Sequence, residues 1–455
     1  MKKILLLPFL SMSSGHHQVA DAIAEYFRAI DPRIECRKVD IFRYSYGIVE
    51  SAVSRAYVKW IRRWPGVYDW AYRKAVCRTE QQADYPAYAM LFEAFFRKLL
   101  KEERPDLVVC THALPSRLLG RLKLRGQLSV PAVNVYTDFF INSLWALEGI
   151  DYHFVPHASL LPALLERGIA RERIFVTGIP VHPIIAGTAT VPSPLPPPLP
   201  LRKPLAGQDS GQADRKASSK SSGQASGKFS GQVSGRVSGQ DAVQAKVLIA
   251  GGSLGLGVTA DLLGQLGSTG RIRYIVLCGK NSRLRAYIDK LGHPLIRALP
   301  YIASRKEMNA LYDGIDGILA KPGGVTISEC LHKRLPIFVY HALPGQEQMN
   351  LEFLKREGLV WHLDDMGIAG EIAVENAEDY RGNAEDYRGT NKPDIERQIW
   401  RVLSSEETVE AYRRRVEQFI SRLSDRDIGA VIARIVGSAE PVVQQSSGRS
   451  VIRSD

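Results

Sequence analysis

The glycine pair Gly323-Gly324 stands between a short apolar run and a segment, 325–332, in which apolar residues recur at helical spacing. Glycine permits a tight turn here, and the pattern predicts a helix whose N-terminus faces the turn. Unpaired backbone N–H groups and the helix dipole at such a terminus favour an anion. We therefore predict that Gly323 and Gly324 contact a phosphate group.

Polar residues that suit sugar hydroxyls follow this turn. Glu329 lies three residues after Thr326, on nearly the same helix face, where a carboxylate can accept hydrogen bonds from both hydroxyls of a ribose. An ordinary strand–turn–helix crossover with a solvated glutamate is the alternative. The ordered series of polar groups favours a nucleotide-sugar site. The residues of the next polar loop that can bind sugar hydroxyls are Gln346, Glu347 and Asn350.

A second glycine loop follows the apolar run 247–250. Its backbone N–H groups can bind a pyrophosphate, and we assign this contact to Gly252, Ser253 and Gly255. Lys280 ends the next apolar run. It either helps to neutralise phosphate or is simply a solvated lysine.

His16 is the candidate general base. It lies in a glycine loop between the apolar run 4–10 and a segment of helical spacing, which is the opening of a Rossmann-like domain. Imidazole at the mouth between strand and helix can remove a proton near neutral pH. A solvent-exposed histidine near a helix start is the alternative, and for His17 we prefer it. Asp138 follows another predicted strand and either steers His16 or a substrate, or caps a loop.

Composition limits the classes of binding partner but does not select one of them. The 455 residues are 45% hydrophobic and 24% charged, as in an ordinary globular protein of two or more domains. The net charge of +12 favours nucleic acid, an anionic membrane surface or a phosphorylated substrate. Five cysteines without metal-like spacing predict a reducing cytosol and no metal site. No apolar run reaches the roughly 20 residues of a spanning helix.

Tryptophans, tyrosines and cations are concentrated in the segment 44–78. Such residues suit a membrane interface, where aromatic rings sit at headgroup level and cations bind anionic lipid. A helical hairpin with its aromatic residues in the core is the alternative. Base stacking ranks third, because no nucleic-acid motif accompanies it. The predicted membrane contacts are Trp60, Arg62, Arg63, Trp64 and Trp70.

Composition also predicts the domain boundaries. Residues 187–243 contain a proline run followed by Ser-Gly-Gln and Ser-Gly-Lys units, which cannot bury a core. We predict a first domain at 1–186, a disordered linker at 187–243, a second domain at 244–437 and a disordered tail at 438–455.

Several motifs together resemble one family. KPGGVTISE followed by PGQEQMN, with CGKN at 278–281 and VNVYTDF at 133–139, is similar to the diacylglycerol glycosyltransferases, which include monogalactosyldiacylglycerol synthases and bacterial processive diacylglycerol glucosyltransferases. The peptidoglycan N-acetylglucosaminyltransferase is a more distant likeness. The sequence departs from the family at Ser13 and Ser14, where Gly or Asn is usual, and at Asn142, where bacterial members tend to carry histidine.

The resemblance implies an α/β protein with two Rossmann-like domains facing a cleft, the donor bound by the second. It implies inverting transfer of a hexose from UDP-glucose or UDP-galactose to diacylglycerol, with His16 as base and Asp138 as its catalytic partner. UDP-hexose is then a substrate, and helix N-termini and lysines replace a metal cofactor. We expect a cytoplasmic protein on the inner face of the membrane. The alternatives are a polyprenyl-linked or soluble acceptor, and a non-catalytic UDP-sugar sensor.

Overall fold

The apolar runs of the sequence form the strands of two parallel sheets in a computed structural model of the chain. In strand β1 (Lys3–Leu7), Ile4 and Leu6 enter one hydrophobic cluster while Leu5 and Leu7 enter another on the opposite face. Burial on both faces explains why the run is continuously apolar, as is usual in parallel sheets. The structure describes residues 2–9, 15–47, 86–187, 244–252, 258–343, 345–363 and 394–437.

The first sheet has six strands in the order β2-β1-β3-β4-β5-β6. After β1 these are β2 (Glu35–Lys38), β3 (Leu107–Cys110), β4 (Ala132–Val135), β5 (Tyr152–Val155) and β6 (Ile174–Val176). Its helices are α1 (Gly15–Ile30), α2 (Ile41–Tyr46), α3 (Pro86–Glu103), α4 (Ala113–Leu124), α5 (Leu161–Glu166) and α6 (Pro183–Ala186).

The second sheet has the order β12-β11-β10-β7-β8-β9. Its strands are β7 (Ala245–Ala250), β8 (Ile272–Leu277), β9 (Ile296–Leu299), β10 (Gly317–Ala320), β11 (Ile337–Val339) and β12 (Trp361–His362). The helices described in this part of the chain are α7 (Ala260–Gly264), α8 (Ser282–Leu291), α9 (Arg305–Asp313), α10 (Gly324–His332), α11 (Gln346–Arg356), α12 (Ile395–Leu403), α13 (Glu406–Ser421) and α14 (Ile428–Gly437).

Each sheet reverses its strand order at one point. In the first sheet the reversal lies between β1 and β3, and in the second between β7 and β10. Ligands of open parallel sheets bind at such points, beyond the carboxyl ends of the strands. His16 lies at the start of α1, which follows β1, and the turn with Gly323 follows β10. The predicted α/β class with two Rossmann-like domains is confirmed.

The last helix returns to the first sheet. Ile432 and Ile435 of α14 lie against Ile23 and Phe27 of α1, and the Lys2 ammonium donates to the Val436 carbonyl. Just before α14, the Asp425 side chain accepts from the backbone N–H of Val176 at 2.9 Å. The described residues form one compact unit, in which α14 completes the core of the first sheet.

Some predictions concern parts of the chain outside the described residues. The predicted linker at 187–243, of which Gly187 alone is described, and the predicted tail at 438–455 are among them, and the domain boundaries remain predictions. Within the described ranges, no helix combines the length and apolarity that crossing a bilayer requires.

A buried glutamate gives a stability prediction for the second sheet. Glu396 is 0% exposed, and its carboxylate accepts hydrogen bonds from the backbone N–H and hydroxyl groups of Ser268 and Thr269. Replacement by alanine leaves these donors unpaired, so we expect Glu396→Ala to lower the free energy of unfolding by about 2–3 kcal/mol. Urea denaturation measures this free energy. The exposed Glu410→Ala is the control and should change it by less than about 0.5 kcal/mol; equal effects would contradict the prediction.

Candidate active site

His16 lies in the first turn of α1, beside the end of β3. Its Nδ1 is 2.8 Å from the carbonyl oxygen of Thr111 and 2.9 Å from Oγ1 of Thr137. A carbonyl can only accept, so Nδ1 carries the proton and Nε2 keeps its lone pair. The Thr111 hydroxyl donates in return to the His16 carbonyl at 2.9 Å. These bonds fix the tautomer that a general base requires.

Asp138 lies at the end of β4, where the second domain meets it. Its Oδ1 accepts from Asn350 Nδ2 at 2.9 Å, and its Oδ2 accepts from the side-chain amide of Gln346. The Thr137 hydroxyl is a third partner of the carboxylate. Two residues predicted to bind a sugar therefore bind Asp138 in this arrangement. Their predicted contact with the donor stays a prediction.

Burial and charge have opposite effects on the pKa values of His16 and Asp138. Burial lowers the pKa of His16, an effect that the charge of Asp138 partly offsets. Burial raises the pKa of Asp138, while His16 and the three hydrogen-bond donors act against the rise. His112 contacts His16 edge-on at 4.7 Å, and burial holds its pKa well below the ordinary value. His112 is therefore neutral, and its Nδ1 accepts from the backbone N–H of Leu114.

The glycine pair lies where the second domain approaches the first. A Cβ added to Gly324 would lie 1.9 Å from the carbonyl oxygen of Thr137, so a side chain cannot be accommodated there. Gly323 is the N-cap of α10, and a Cβ at this position would meet no atom within 4 Å. The need for glycine at 324 thus comes from packing between the domains, whereas Gly323 is the position that leaves room for a ligand.

Glu329 is buried in the second domain. Its Oε2 accepts from the Tyr312 hydroxyl at 2.8 Å, and its Oε1 lies 3.5 Å from a guanidinium nitrogen of Arg305. Burial raises the pKa of Glu329, and the nearby Arg305 opposes this rise. Thr326 lies on the same helix, partly exposed. The contact of Glu329 with a ribose remains a prediction, now with two neighbours that hold the carboxylate in place.

A small recess opens at the carboxyl ends of β7, β10 and β11. Lys321 lines it, with its ammonium 3.2 Å from Oε1 of Glu347, whose Oε2 accepts from the backbone N–H of Leu343. Lys280 extends over the ring of Tyr301, 5.7 Å from the ring centroid. Cations and the N-terminus of α10 therefore surround one end of the sheet, which suits a diphosphate.

Other predicted site residues lie outside the described part of the chain or at its edge. Gly252 is described and has φ +75°, a conformation that favours glycine. The described residues contain no group of three or more His, Cys, Asp or Glu side chains placed to hold a metal ion. The predicted residues outside the described ranges are Ser253, Gly255, Trp60, Arg62, Arg63, Trp64 and Trp70.

Sequence reasoning missed the residues that orient the predicted ones. Thr111 directly follows β3, which neighbours β1, and Thr137 lies two residues beyond β4, the next strand of the sheet. This placement at the carboxyl ends of parallel strands was the available signal. Tyr312 and Arg305 belong to α9, and no sequence spacing links them to Glu329.

The two Rossmann-like domains, with Gly324 of the second packed against Thr137, which contacts His16, have the architecture of the GT-B glycosyltransferases. The family model described as monogalactosyldiacylglycerol (MGDG) synthase matches residues 16–181. The uncharacterized glycosyltransferase YkoN of Bacillus subtilis (strain 168) is 37% identical over 437 residues, which cover 96% of this chain and 98% of the relative. The chain therefore belongs to the monogalactosyldiacylglycerol synthase family of glycosyltransferases.

A more distant relative agrees with this assignment, and one solved structure shares the fold. A processive diacylglycerol beta-glucosyltransferase of Bacillus cytotoxicus is 25% identical over 360 residues, covering 78% of this chain and 80% of the relative. The crystal structure of Acinetobacter baumannii MurG superposes with a TM-score of 0.52 at 13% identity, covering 95% of this chain and 100% of that chain. The latter likeness concerns the fold alone.

Proposed function

We propose that the protein transfers a hexose from UDP-glucose or UDP-galactose to the hydroxyl of diacylglycerol, with inversion at the anomeric carbon. The observation that carries the proposal is the His16 ring, whose Nδ1 is bound by Thr111 and whose Nε2 keeps its lone pair. A base of this kind is required to deprotonate an alcohol that attacks a sugar. Family membership supports the chemistry, and the name of the B. cytotoxicus relative supports the lipid acceptor.

The first step is proton transfer to Nε2 of His16 as the acceptor oxygen attacks the anomeric carbon. The resulting imidazolium is stabilised by the Asp138 carboxylate, to which Thr137 connects it. The bond from the anomeric carbon to the UDP oxygen breaks on the opposite face, so a single displacement inverts the configuration.

The leaving diphosphate is held by the second domain in this proposal. Backbone N–H groups at Gly323 and the start of α10 face it, and Lys321 supplies positive charge. Glu329 accepts from the ribose hydroxyls, while Tyr312 and Arg305 fix its orientation. Charge at these groups takes the place of a divalent cation.

In this proposal the segment 44–78 brings the protein to its lipid acceptor. We propose that its tryptophans and cations hold the protein at the inner face of the membrane, where diacylglycerol is found. A polyprenyl-linked or soluble acceptor is the second candidate, because Asn142 stands where bacterial members tend to carry histidine.

The test incubates the purified protein with diacylglycerol in anionic-lipid micelles and either UDP-glucose or UDP-galactose. Mass spectrometry of the lipid fraction should detect a hexosyl diacylglycerol with one donor, and NMR of the product should show the inverted anomeric centre. If UDP binds but neither sugar reaches the lipid, the diacylglycerol assignment is wrong and other acceptors are assayed in its place.

The pH dependence of the reaction follows from the environment of His16. Only neutral His16 can accept a proton, and burial lowers its pKa, so activity should persist below pH 6.5, the ordinary histidine value. We expect the acid limb of kcat/KM to have its midpoint below 6.5. In Asp138→Asn the midpoint should fall further, because the carboxylate raises the pKa of His16. A midpoint above pH 7 in the unmodified protein would contradict this account.

A further inference from the structure

Asn350 is placed at the contact between the two domains, and both of its polar atoms are in use. It lies in α11 of the second domain and is 1% exposed. Its Oδ1 accepts from the backbone N–H of Phe139 at 2.9 Å, and its Nδ2 donates to Asp138 at 2.9 Å. The backbone N–H can only donate, so it fixes which end of the amide faces Asp138. Asp138 must therefore present an accepting oxygen.

The loop that carries Asp138 is held by the same helix. The ring of Phe139 stacks on Phe353 of α11 at 5.2 Å, and His157 stacks on Phe353 at 4.0 Å. His157 Nε2 also donates to the Phe139 carbonyl at 2.7 Å. Asn350 thus bridges Asp138 and the adjacent backbone in the centre of an apolar contact, where a hydrogen bond is shielded from water.

A short chain of contacts leads from this bridge to the base. The Thr137 hydroxyl contacts Asp138 and lies 2.9 Å from Nδ1 of His16. The one proton on Nδ1 is shared between the Thr111 carbonyl and the Thr137 hydroxyl oxygen, and the Thr137 hydroxyl donates to the Asp138 carboxylate. The position of the Asp138 charge relative to His16 therefore depends on a side chain from the other domain.

We propose that Asn350 is a positioning residue for the base, which orients Asp138 and, through Thr137, His16 when the domains are together. The inference rests on the proposed transferase function and assigns Asn350 a role other than donor binding. It makes the correct alignment of the base in the first domain conditional on contact with the second.

The test compares Asn350→Ala with Gln348→Ala, a control on the same helix whose side-chain amide lies 3.5 Å from Glu352. Misplacement of a catalytic group by about 1 Å costs up to about 100-fold, so we expect kcat to fall by about 10- to 100-fold in Asn350→Ala. The dissociation constants of UDP and UDP-hexose should stay within about 2-fold. The control should resemble the unmodified protein in all three quantities. Asn350→Ser, which keeps a polar side chain, serves if the alanine variant does not fold.

A second readout does not need turnover. The groups that act on the pKa of His16 are Asp138, His17 and the Thr111 carbonyl, and His16 itself acts on His112. Among the charged groups only Asp138 raises the pKa of His16. NMR titration should therefore show a lower His16 pKa in Asn350→Ala and an unchanged one in Gln348→Ala. In an Asp138→Asn background, Asn350→Ala should add little to either effect, because the two residues act through one bond.

The outcomes separate this proposal from the proposed function. If the unmodified protein transfers no sugar, the transferase proposal fails, and the NMR titration still tests the link between Asn350 and His16. If the UDP-hexose dissociation constant rises more than 10-fold while UDP binding, kcat and the His16 pKa are unchanged, Asn350 is a donor ligand and the positioning role is wrong. An unchanged kcat together with an unchanged His16 pKa overturns it as well.

Discussion

His16→Ala should lower the rate of hexose transfer by about 10³- to 10⁴-fold while UDP still binds. A positioned general base contributes about 10²- to 10⁴-fold, and here the ring is oriented by Thr111 and Thr137 before any substrate arrives. The remaining activity would come from binding the donor and acceptor together. Single-turnover transfer of labelled hexose and calorimetric titration with UDP measure the two quantities.

His17→Ala is the matched control, because it removes an imidazole from the next position of the same helix. We expect its transfer rate to stay within about 3-fold of the unmodified protein, consistent with its weak effect on the pKa of His16. The assignment of the base would be wrong if His17→Ala lost as much activity as His16→Ala, or if His16→Ala lost less than about 10-fold.

Gly324→Ala should separate the domains without unfolding either one. The added Cβ would lie 1.9 Å from the Thr137 carbonyl oxygen and 2.9 Å from Cδ1 of Ile179, so the contact must open. Overpacking costs about 1–3 kcal/mol, which lowers the ratio of closed to open molecules by about 5- to 150-fold, and the backbone oxygen next to the new Cβ favours the upper end. Transfer requires the base and donor together, so its rate should fall by up to the same factor.

Amide hydrogen exchange at Phe139 reports the opening directly, because its N–H is bonded to Asn350 of the other domain. Exchange should accelerate in Gly324→Ala and stay unchanged in Gly323→Ala, whose new methyl group meets no atom within 4 Å. Equal exchange in the two variants would show that the glycine at 324 is not required for the contact. Circular dichroism spectra that match the unmodified protein confirm that both sheets remain folded.

Local patterns were sufficient to predict the strands, the glycine turn at 323–324 and the place of His16 between β1 and the body of α1. Each depends on residues close in sequence: a buried run, a turn that glycine permits, a helix that starts after it. The role of Gly324 could not be predicted in this way, because Thr137, the residue it packs against, belongs to the other domain.

The sequence did not indicate that Gln346 and Asn350, which lie in α11, bind Asp138. Gln346 and Asn350 have the polarity of sugar ligands, and polarity alone does not distinguish a sugar hydroxyl from a carboxylate across a domain contact. The partners of Glu329 were unpredictable for the same reason. A buried carboxylate needs hydrogen-bond or ionic partners, but the sequence does not say that the helix with Tyr312 and Arg305 provides them.

The packing of α14 on α1 has a consequence for synthesis on the ribosome. Ile432 and Ile435 cover Ile23 and Phe27, yet they emerge long after the last strand of the first sheet. At about 5–20 residues per second, the nascent first domain waits about 15–50 seconds with this apolar surface uncovered. Folding of the domain that carries His16 is therefore completed only after translation of the donor domain, and the exposed surface is a natural site for chaperone capture in that interval.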